Sequence, residues 1–310
     1  MIVHLKKFIP SFCKLDNLGK IQTKLQSSPR ILEQLKNKSL LRVRGNEVLI
    51  FLQGLITNDM KHFEEGAANL YALFLNTKGR VMYDVIIYRS QEDNVYYIEC
   101  DSQAAESLQK HLKMYRVRRK IDIDYLEDSN KVSKIVDNIM IYEDPRLSDL
   151  GIRILAASEI ERPNHLSYKA FRYKLGVPEG IEDLPPGKPL PLEVNCDYLH
   201  GVSFHKGCYI GQELTARTYH TGVVRKRLMP LLFNEVPNKS FSYDEKIINE
   251  TGNVVGKFRG IENQYGLGLM RINDSLNAQS LTISNIKLKV SKPIWWPQEL
   301  QKQIVSVNKT

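Results

Sequence analysis

The chain has little sulfur with which to staple itself: four cysteines in 310 residues, Cys13, Cys100, Cys196 and Cys208, with no C-x-x-C pair among them. Cysteines this sparse exclude a disulfide framework and a four-cysteine zinc site, which leaves single-thiol chemistry as the role a cysteine can fill. No apolar run approaches the roughly 18 residues a membrane span needs. Mean hydropathy is −0.33, so no membrane partner is expected. Internal repeats and low-complexity tracts are absent as well. Acidic residues are scarce at one end: the first thirty residues hold Lys6, Lys7, Lys14, Lys20, Lys24 and Arg30 against Asp16 alone. More than half of the net charge of +9 lies in that segment. The remaining body is only mildly basic, and its charge does not call for a nucleic-acid partner. With Ile2, Val3, Leu5, Phe8, Ile9, Phe12 and Leu15 among the lysines, residues 1–30 read as a mitochondrial transit peptide or a disordered leader. The compartment implied is the mitochondrial matrix.

What is present is globular: 42% hydrophobic and 25% charged residues, in a chain long enough for about two domains. Residues 40–44 alternate like a strand, and Asn46 is placed to cap a helix over 47–57. The runs 71–75 and 81–88 flank Asn76-Thr-Lys-Gly-Arg80 and predict a hairpin. A further strand is expected over 94–100, a helix from Asp101 or Ser102 to about Tyr115, and a strand with one wet face over 116–124. Strands around 134–142 and 151–155 precede a helix over 165–175, closed by Gly176 and Pro178. Residues 184–191, with Pro185, Pro186, Gly187, Pro189 and Pro191, predict a stiff loop. After Thr221, short strand-like runs alternate with Gly, Asn and Ser turns, the pattern of a small β-barrel.

The segment richest in chemistry is Lys206-Gly-Cys-Tyr-Ile-Gly-Gln-Glu213. Two glycines bracket Cys208, a helix-like run follows from Ile210 to Thr218, and Lys206 lies two residues away. A thiol beside an ammonium and a helix N-terminus is favoured as the thiolate, which acts as a nucleophile or as an iron ligand. His205 and His220 are close in sequence. Trp295-Trp296 reads as a hydrophobic plug, and Arg116, Arg118, Arg119 and Lys120 as a solvated basic cluster.

Leu190-Pro-Leu-Glu193, followed by Gly201-Val-Ser-Phe-His-Lys-Gly-Cys-Tyr-Ile-Gly-Gln-Glu-Leu-Thr-Ala-Arg217, resembles the hallmark of the YgfZ proteins, folate-binding relatives of the glycine-cleavage T-protein (GcvT, an aminomethyltransferase). Phe51-Leu-Gln-Gly-Leu-Ile-Thr-Asn-Asp59 and Asn76-Thr-Lys-Gly-Arg-Val81 support the match, which extends over about 39–297. With Val223-Val-Arg-Lys-Arg-Leu and the basic leader, the chain is most similar to the mitochondrial iron–sulfur cluster assembly members of that family.

The resemblance implies an α+β protein arranged as a GcvT/YgfZ-like three-domain ring: two α+β domains built from antiparallel sheets with helices, and a C-terminal β-barrel, around a central cavity. Its domains would be a discontinuous first domain over 38–70 and 130–215, an inserted ferredoxin-like domain over 71–129, and the barrel over 216–310. The implied cofactor is tetrahydrofolate or a related reduced folate. Asp84 would read the pterin, Arg172 would meet the anionic tail, and Glu193, Asn195, Tyr209, Gln212 and Glu213 would line the site. Cys208 would serve as the working thiol and transient iron–sulfur ligand, with Lys206 supporting it. The function implied is late-acting assembly of [4Fe–4S] proteins, with A-type iron–sulfur carriers and apo-[4Fe–4S] targets as partners. The Gly-Tyr-Thr-Gly-Glu segment through which aminomethyltransferases supply a further carboxylate is not found in this chain. That departure sets a tetrahydrofolate-dependent one-carbon transferase in second place and a tRNA-binding module third.

Overall fold

The computed structural model describes residues 2–6, 31–126, 140–155 and 167–297. Residues 7–30 of the leader, with Cys13, lie outside them, as do the first residues of the expected strand over 134–142 and of the expected helix over 165–175. The chain divides into two compact units.

The first unit takes in Met1–Phe51, Lys61–Leu70 and Val85–Tyr168. Its larger sheet is antiparallel, in the order β4-β5-β6-β3-β7, with β3 Lys38–Arg44, β4 Asn69–Leu75, β5 Val81–Arg89, β6 Val95–Asp101 and β7 Asp122–Leu126. The 71–84 portion of the β4–β5 hairpin is counted with the second unit. β3 is a central strand, pairing through Val43 with Tyr96 on one side and with Ile123 on the other. Its Leu41 and Val43 are fully buried. Helix α1 is Val48–Gln53, shorter than the periodicity over 47–57 predicts.

Helix α2, Ala105–Arg116, follows a single 3-10 turn that begins with Asp101 accepting the Gln103 amide. Ala105, Leu108 and Leu112 recur at helical spacing and are buried, so one apolar stripe faces β3 and β7. The wet-faced strand expected over 116–124 is corrected here. Arg116 ends the helix, Val117 turns at φ 51°, and the Arg116 guanidinium holds the turn by donating to the Ile121 carbonyl; the strand starts only at Asp122. The basic cluster therefore sits on a helix end and a turn.

A second, four-stranded sheet has the order β2-β1-β9-β8, from β1 Ile2–Lys6, β2 Ile31–Gln34, β8 Met140–Glu143 and β9 Ile152–Leu155. Arg153 of β9 is wholly buried and anchors a polar network. Its Nε donates to Asp144 at 2.9 Å, one Nη donates to Glu99, and the other donates to the Tyr168 hydroxyl oxygen at 2.6 Å. Arg146 forks onto both Asp144 oxygens at 2.9 and 2.7 Å, and the Tyr88 hydroxyl donates to Glu99. Two guanidiniums face two carboxylates, so the buried charge cancels.

The second unit takes in Leu52–Met60, Tyr71–Asp84 and Lys169–Thr310. Its C-terminal part is the expected barrel, closed in the order β10-β13-β12-β11-β14-β15. The strands are β10 Lys226–Phe233, β11 Lys246–Asn249, β12 Val254–Glu262, β13 Tyr265–Arg271, β14 Leu281–Ile283 and β15 Ile286–Val290. The short strand β11 is four residues long and bulged against β12, too short for alternation to mark it, and the strand-like run 281–290 is a hairpin of β14 and β15. Met229, Phe233, Ile247, Phe258, Met270 and Leu288 fill the interior, and Trp296 plugs it as expected. Three helices precede the barrel: α3 Tyr168–Leu175, α4 Gly180–Asp183 and α5 Gln212–Thr221.

Candidate functional site

The site is built within the second unit on the segment that leads into α5. Cys208 is exposed, whereas Cys100 and Cys196 are buried. Burial pushes the Cys196 thiol well up, so that sulfur stays protonated and inert. Among the described cysteines, Cys208 alone meets solvent.

Lys206 holds this segment down. Its Nζ donates to the carbonyls of Gln53, Ile56 and Asn58 at 2.8, 2.7 and 2.6 Å. An ammonium has three N–H donors. All three are engaged, so none is left for the Cys208 sulfur. Burial lowers the Lys206 pKa to about 8, against the pull of Asp59. The ammonium also stands 5.0 Å from the centre of the Tyr209 ring. Lys206 thus anchors the thiol segment to residues 53–58.

That bed is itself cross-tied. Thr57 Oγ1 donates to the Gly201 carbonyl at 2.6 Å and accepts the Leu73 amide at 2.9 Å. Asn58 Nδ2 reaches the Tyr71 and His200 carbonyls. Ser203 and Ile210 return amides to the carbonyls of Thr57 and Gly54. Thr57 and Asn58 lie in the Phe51–Asp59 segment that supports the family resemblance, and their burial and hydrogen bonds make them positioning residues, a role the sequence alone does not assign.

The glycines have a steric reason. Gly211 caps α5 at φ 78°, and a Cβ there would lie 2.3 Å from the Asn76 carbonyl oxygen and 2.9 Å from the Leu75 Cβ. A Cβ on Gly79, at φ 73°, would lie 3.0 Å from the Gly211 carbonyl oxygen. The hairpin turn 76–80 and the start of α5 are therefore interlocked backbone to backbone. The helix begins beyond Cys208, at Gln212, and leaves the thiol outside the first turn where the dipole acts. What distinguishes Cys208 is access on a rigidly held segment. Gln212 Oε1 accepts the Tyr209 amide at 3.2 Å and steadies the turn, and Glu213 is exposed.

The other expected residues fall in two groups. Glu193 borders a cavity of about 300 Å³ lined also by Leu190, Leu192, Leu214, Thr215 and Val224, with Arg225 and Lys226 at its edge. Burial raises the Glu193 pKa, against Lys226, Arg259 and Arg80. Thr215 is buried, and its hydroxyl has no hydrogen-bond partner among the described residues, so the cavity wall holds a polar atom awaiting one. A flat heterocycle with paired N–H donors and a ring acceptor fits this donor set.

Asp84, Arg172 and Asn195 are instead engaged within the fold. Asp84 is buried, with both oxygens 3.1 Å from the Gly180 amide. Arg172 is buried and donates to Asp183 at 2.9 Å and to the Val177 carbonyl at 2.7 Å. Asn195, at φ 62° and fully buried, donates to the Leu228 carbonyl. Beside it Arg227 forks onto Asp197 and stacks 3.9 Å from the Tyr198 ring centre. Among the described residues no group of three or more His, Cys, Asp or Glu side chains is placed to hold a metal ion.

Comparison with known proteins places this architecture. Residues 34–135 match the model of the GCVT N-terminal domain, and residues 225–298 that of the CAF17 C-terminal beta-barrel domain. The fold resembles that of the glycine cleavage system aminomethyltransferase T from Bartonella henselae, with a TM-score of 0.63 at 13% identity over 85% of each chain. In sequence, the chain is 38% identical to the human mitochondrial iron–sulfur cluster assembly factor IBA57, over 85% of each. It is 37% identical to the mouse protein over the same shares, and 33% identical to the Dictyostelium discoideum homologue over 73% of this chain and 69% of that one. With a glycine-cleavage N-terminal match, a closed barrel and this extent of identity, the chain belongs to the IBA57 family of iron–sulfur cluster assembly factors.

Proposed function

We propose that this protein assembles iron–sulfur clusters in the mitochondrial matrix, acting late, with Cys208 as a transient ligand to a cluster delivered by an A-type carrier and passed to apo-[4Fe–4S] proteins. The observation that carries the reading is the exposed Cys208 thiol on a segment pinned by Lys206 and by the Gly79–Gly211 interlock. The names of the relatives, all mitochondrial iron–sulfur cluster assembly factors, support the pathway and the organelle.

The cluster is cargo, so the site must take it and release it. A single protein thiolate suits that task, because one ligand holds a cluster only while a partner supplies the others. On transfer, a bond forms between iron and the Cys208 sulfur as one iron–sulfur bond to the donor breaks. The proton lost by Cys208 is taken up by the donor thiolate released, and no electron moves. Lys206 positions the segment while the cluster changes hands.

A reduced folate would occupy the Glu193 cavity, where Glu193 and the Thr215 hydroxyl would hold the pterin and Arg225 or Lys226 would meet its carboxylates. A reduced pterin supplies redox or one-carbon chemistry when bound; here its role is that of a structural or redox partner. Asp84 is not among the residues lining this cavity and is held by the Gly180 amide.

The test is anaerobic cluster transfer from a loaded A-type carrier to apo-aconitase, comparing the full chain with Cys208→Ser. The exposed site makes the variant as stable as the parent, and transfer is expected to fall at least tenfold. Wild-type transfer by Cys208→Ser would remove the thiol from the mechanism.

A further inference from the structure

We infer that the turn closing α2 docks on a membrane surface rich in anionic lipid, with Val117 entering the interface and the cations of the turn meeting lipid phosphates. The case opens on backbone strain. The Arg119 amide donates to the Arg116 carbonyl at 3.0 Å, so residues 116–119 form a β-turn with Val117 and Arg118 at its tip. Val117 has φ 51° and ψ −108°, the first central position of a type II′ turn, where glycine is the residue that fits. A β-branched residue is strained there. Packing does not repay the strain, because the Val117 side chain is 75% exposed. Strain kept for a side chain that meets solvent points to a contact made outside the chain.

The neighbours of Val117 identify that contact. Residues 113–120 hold Lys113, Arg116, Arg118, Arg119 and Lys120 and no acid, and Lys113, Arg118 and Lys120 are exposed. Hydrogen bonds and packing gather them. The Arg116 guanidinium donates back to the Ile121 carbonyl, and a Cβ on Gly45 would lie 2.5 Å from the Lys120 carbonyl oxygen, so the turn packs on the chain entering α1. Arg119 stands 3.8 Å from Glu47 and 6.0 Å from the centre of the Phe51 ring. Ile50, three residues on from Glu47 and so its neighbour on α1, is 71% exposed. Met114, one helical turn before Val117, is 64% exposed. The acids of the adjoining elements answer other cations: Glu47 meets Arg119, Asp122 meets Arg44 at 2.8 Å, and Glu106 meets Lys110 at 2.6 Å.

Exposed aliphatic groups and cations thus share one turn and the helix end beside it. An anionic bilayer interface takes both parts, since the acyl boundary receives the aliphatic groups while phosphates meet the cations. A nucleic acid would reward the cations and give the valine at the tip nothing. This contact is peripheral and needs no spanning run; among the described residues no helix is long and apolar enough to cross a membrane. The expectation of no membrane partner followed from hydropathy along the chain, which does not register a single turn.

The experiment is co-sedimentation of the full chain with vesicles of phosphatidylcholine alone and with about 30% phosphatidylglycerol, for wild type, Val117→Gly and Arg118→Glu, together with hydrogen exchange of residues 113–121. The lysines of the first thirty residues are present in every arm, so the differences between variants read the turn. Wild type is expected to prefer the anionic vesicles and to slow its exchange over 113–121 on binding them. Val117→Gly relieves the backbone and should be at least as stable in denaturant, yet bind the anionic vesicles about fivefold more weakly. Arg118→Glu should weaken binding about tenfold and reduce its salt dependence. Equal binding by all three proteins, equal binding to neutral and anionic vesicles, or protection confined to residues outside the turn would each overturn the docking surface. Tighter binding to tRNA or to polyglutamate, lost in Arg118→Glu and unchanged in Val117→Gly, would assign the turn to a nucleic acid or an acidic protein and overturn the lipid surface.

Discussion

A sealed arginine network and a half-buried lysine are each held by partners in this molecule, to opposite ends. In the first unit, Arg146 and Arg153 are sealed with Asp144, Glu99, Tyr88 and Tyr168, and every charge there is answered by another within the network. In the second unit, Lys206 is answered by three uncharged carbonyls, and what it holds down is an exposed thiol. The closed network has no face toward a ligand and ties strands to one another. The Lys206 anchor is as well satisfied, but one residue further on Gly207 leaves open space around it. A buried charge alone does not mark a function; the difference lies in what the anchored segment shows to solvent.

That comparison breaks most visibly at Arg153. Arg153→Ala leaves Asp144 and Glu99 with fewer partners inside the first unit, and stability should fall by about 3–5 kcal/mol. Denaturant unfolding measures it, and a loss below about 1 kcal/mol would mean that water reaches the network. The next effect is acid sensitivity. Burial pushes the Asp144 carboxyl up, yet the Arg146 and Arg153 guanidiniums overcome it and hold the carboxyl well below the usual range. The folded chain then binds fewer protons than the unfolded chain. Asp144 therefore contributes stability that is complete above about pH 4 and is lost as the pH falls through the folded value. Unfolding midpoints between pH 7 and pH 3 should drop more steeply for wild type than for Asp144→Asn; equal slopes would assign the acid response to other carboxylates.

The second unit was the more legible of the two in sequence. Short strand-like runs between Gly, Asn and Ser turns announced the barrel, and the glycine-bracketed Cys208 stood out as a candidate, because both follow from short-range pattern. The Arg146–Asp144–Arg153–Glu99 network was invisible, since it joins residues up to 54 positions apart whose types suggest surface charge. Arg172 shows the same limit: a helical arginine reads as a ligand contact or a surface pair, and only the packing reveals Asp183 beneath it. Lys206 is expected to support the thiol, yet its ammonium goes to carbonyls about 150 residues back, which carry no sequence signature.

The finest comparison lies inside the motif, between its two glycines. Gly211 has a positive φ and no room: a methyl group would meet the Asn76 carbonyl oxygen at 2.3 Å, and backbone cannot step aside as a flexible side chain would. Gly207 has nothing within 4 Å of where its Cβ would be. Gly211→Ala should therefore cost about 2–3 kcal/mol, from the left-handed backbone and the overlap together. Gly207→Ala should change stability by less than about 1 kcal/mol, in either direction, since it removes backbone freedom from the unfolded chain without a clash. The two should also part in chemistry. Forcing α5 away from the hairpin turn shifts the segment that Lys206 anchors, so the rate of Cys208 alkylation should change in Gly211→Ala and stay near wild type in Gly207→Ala. Equal stability and equal alkylation rates for the pair would mean that the interlock does not set the thiol's position, and that Lys206 alone does.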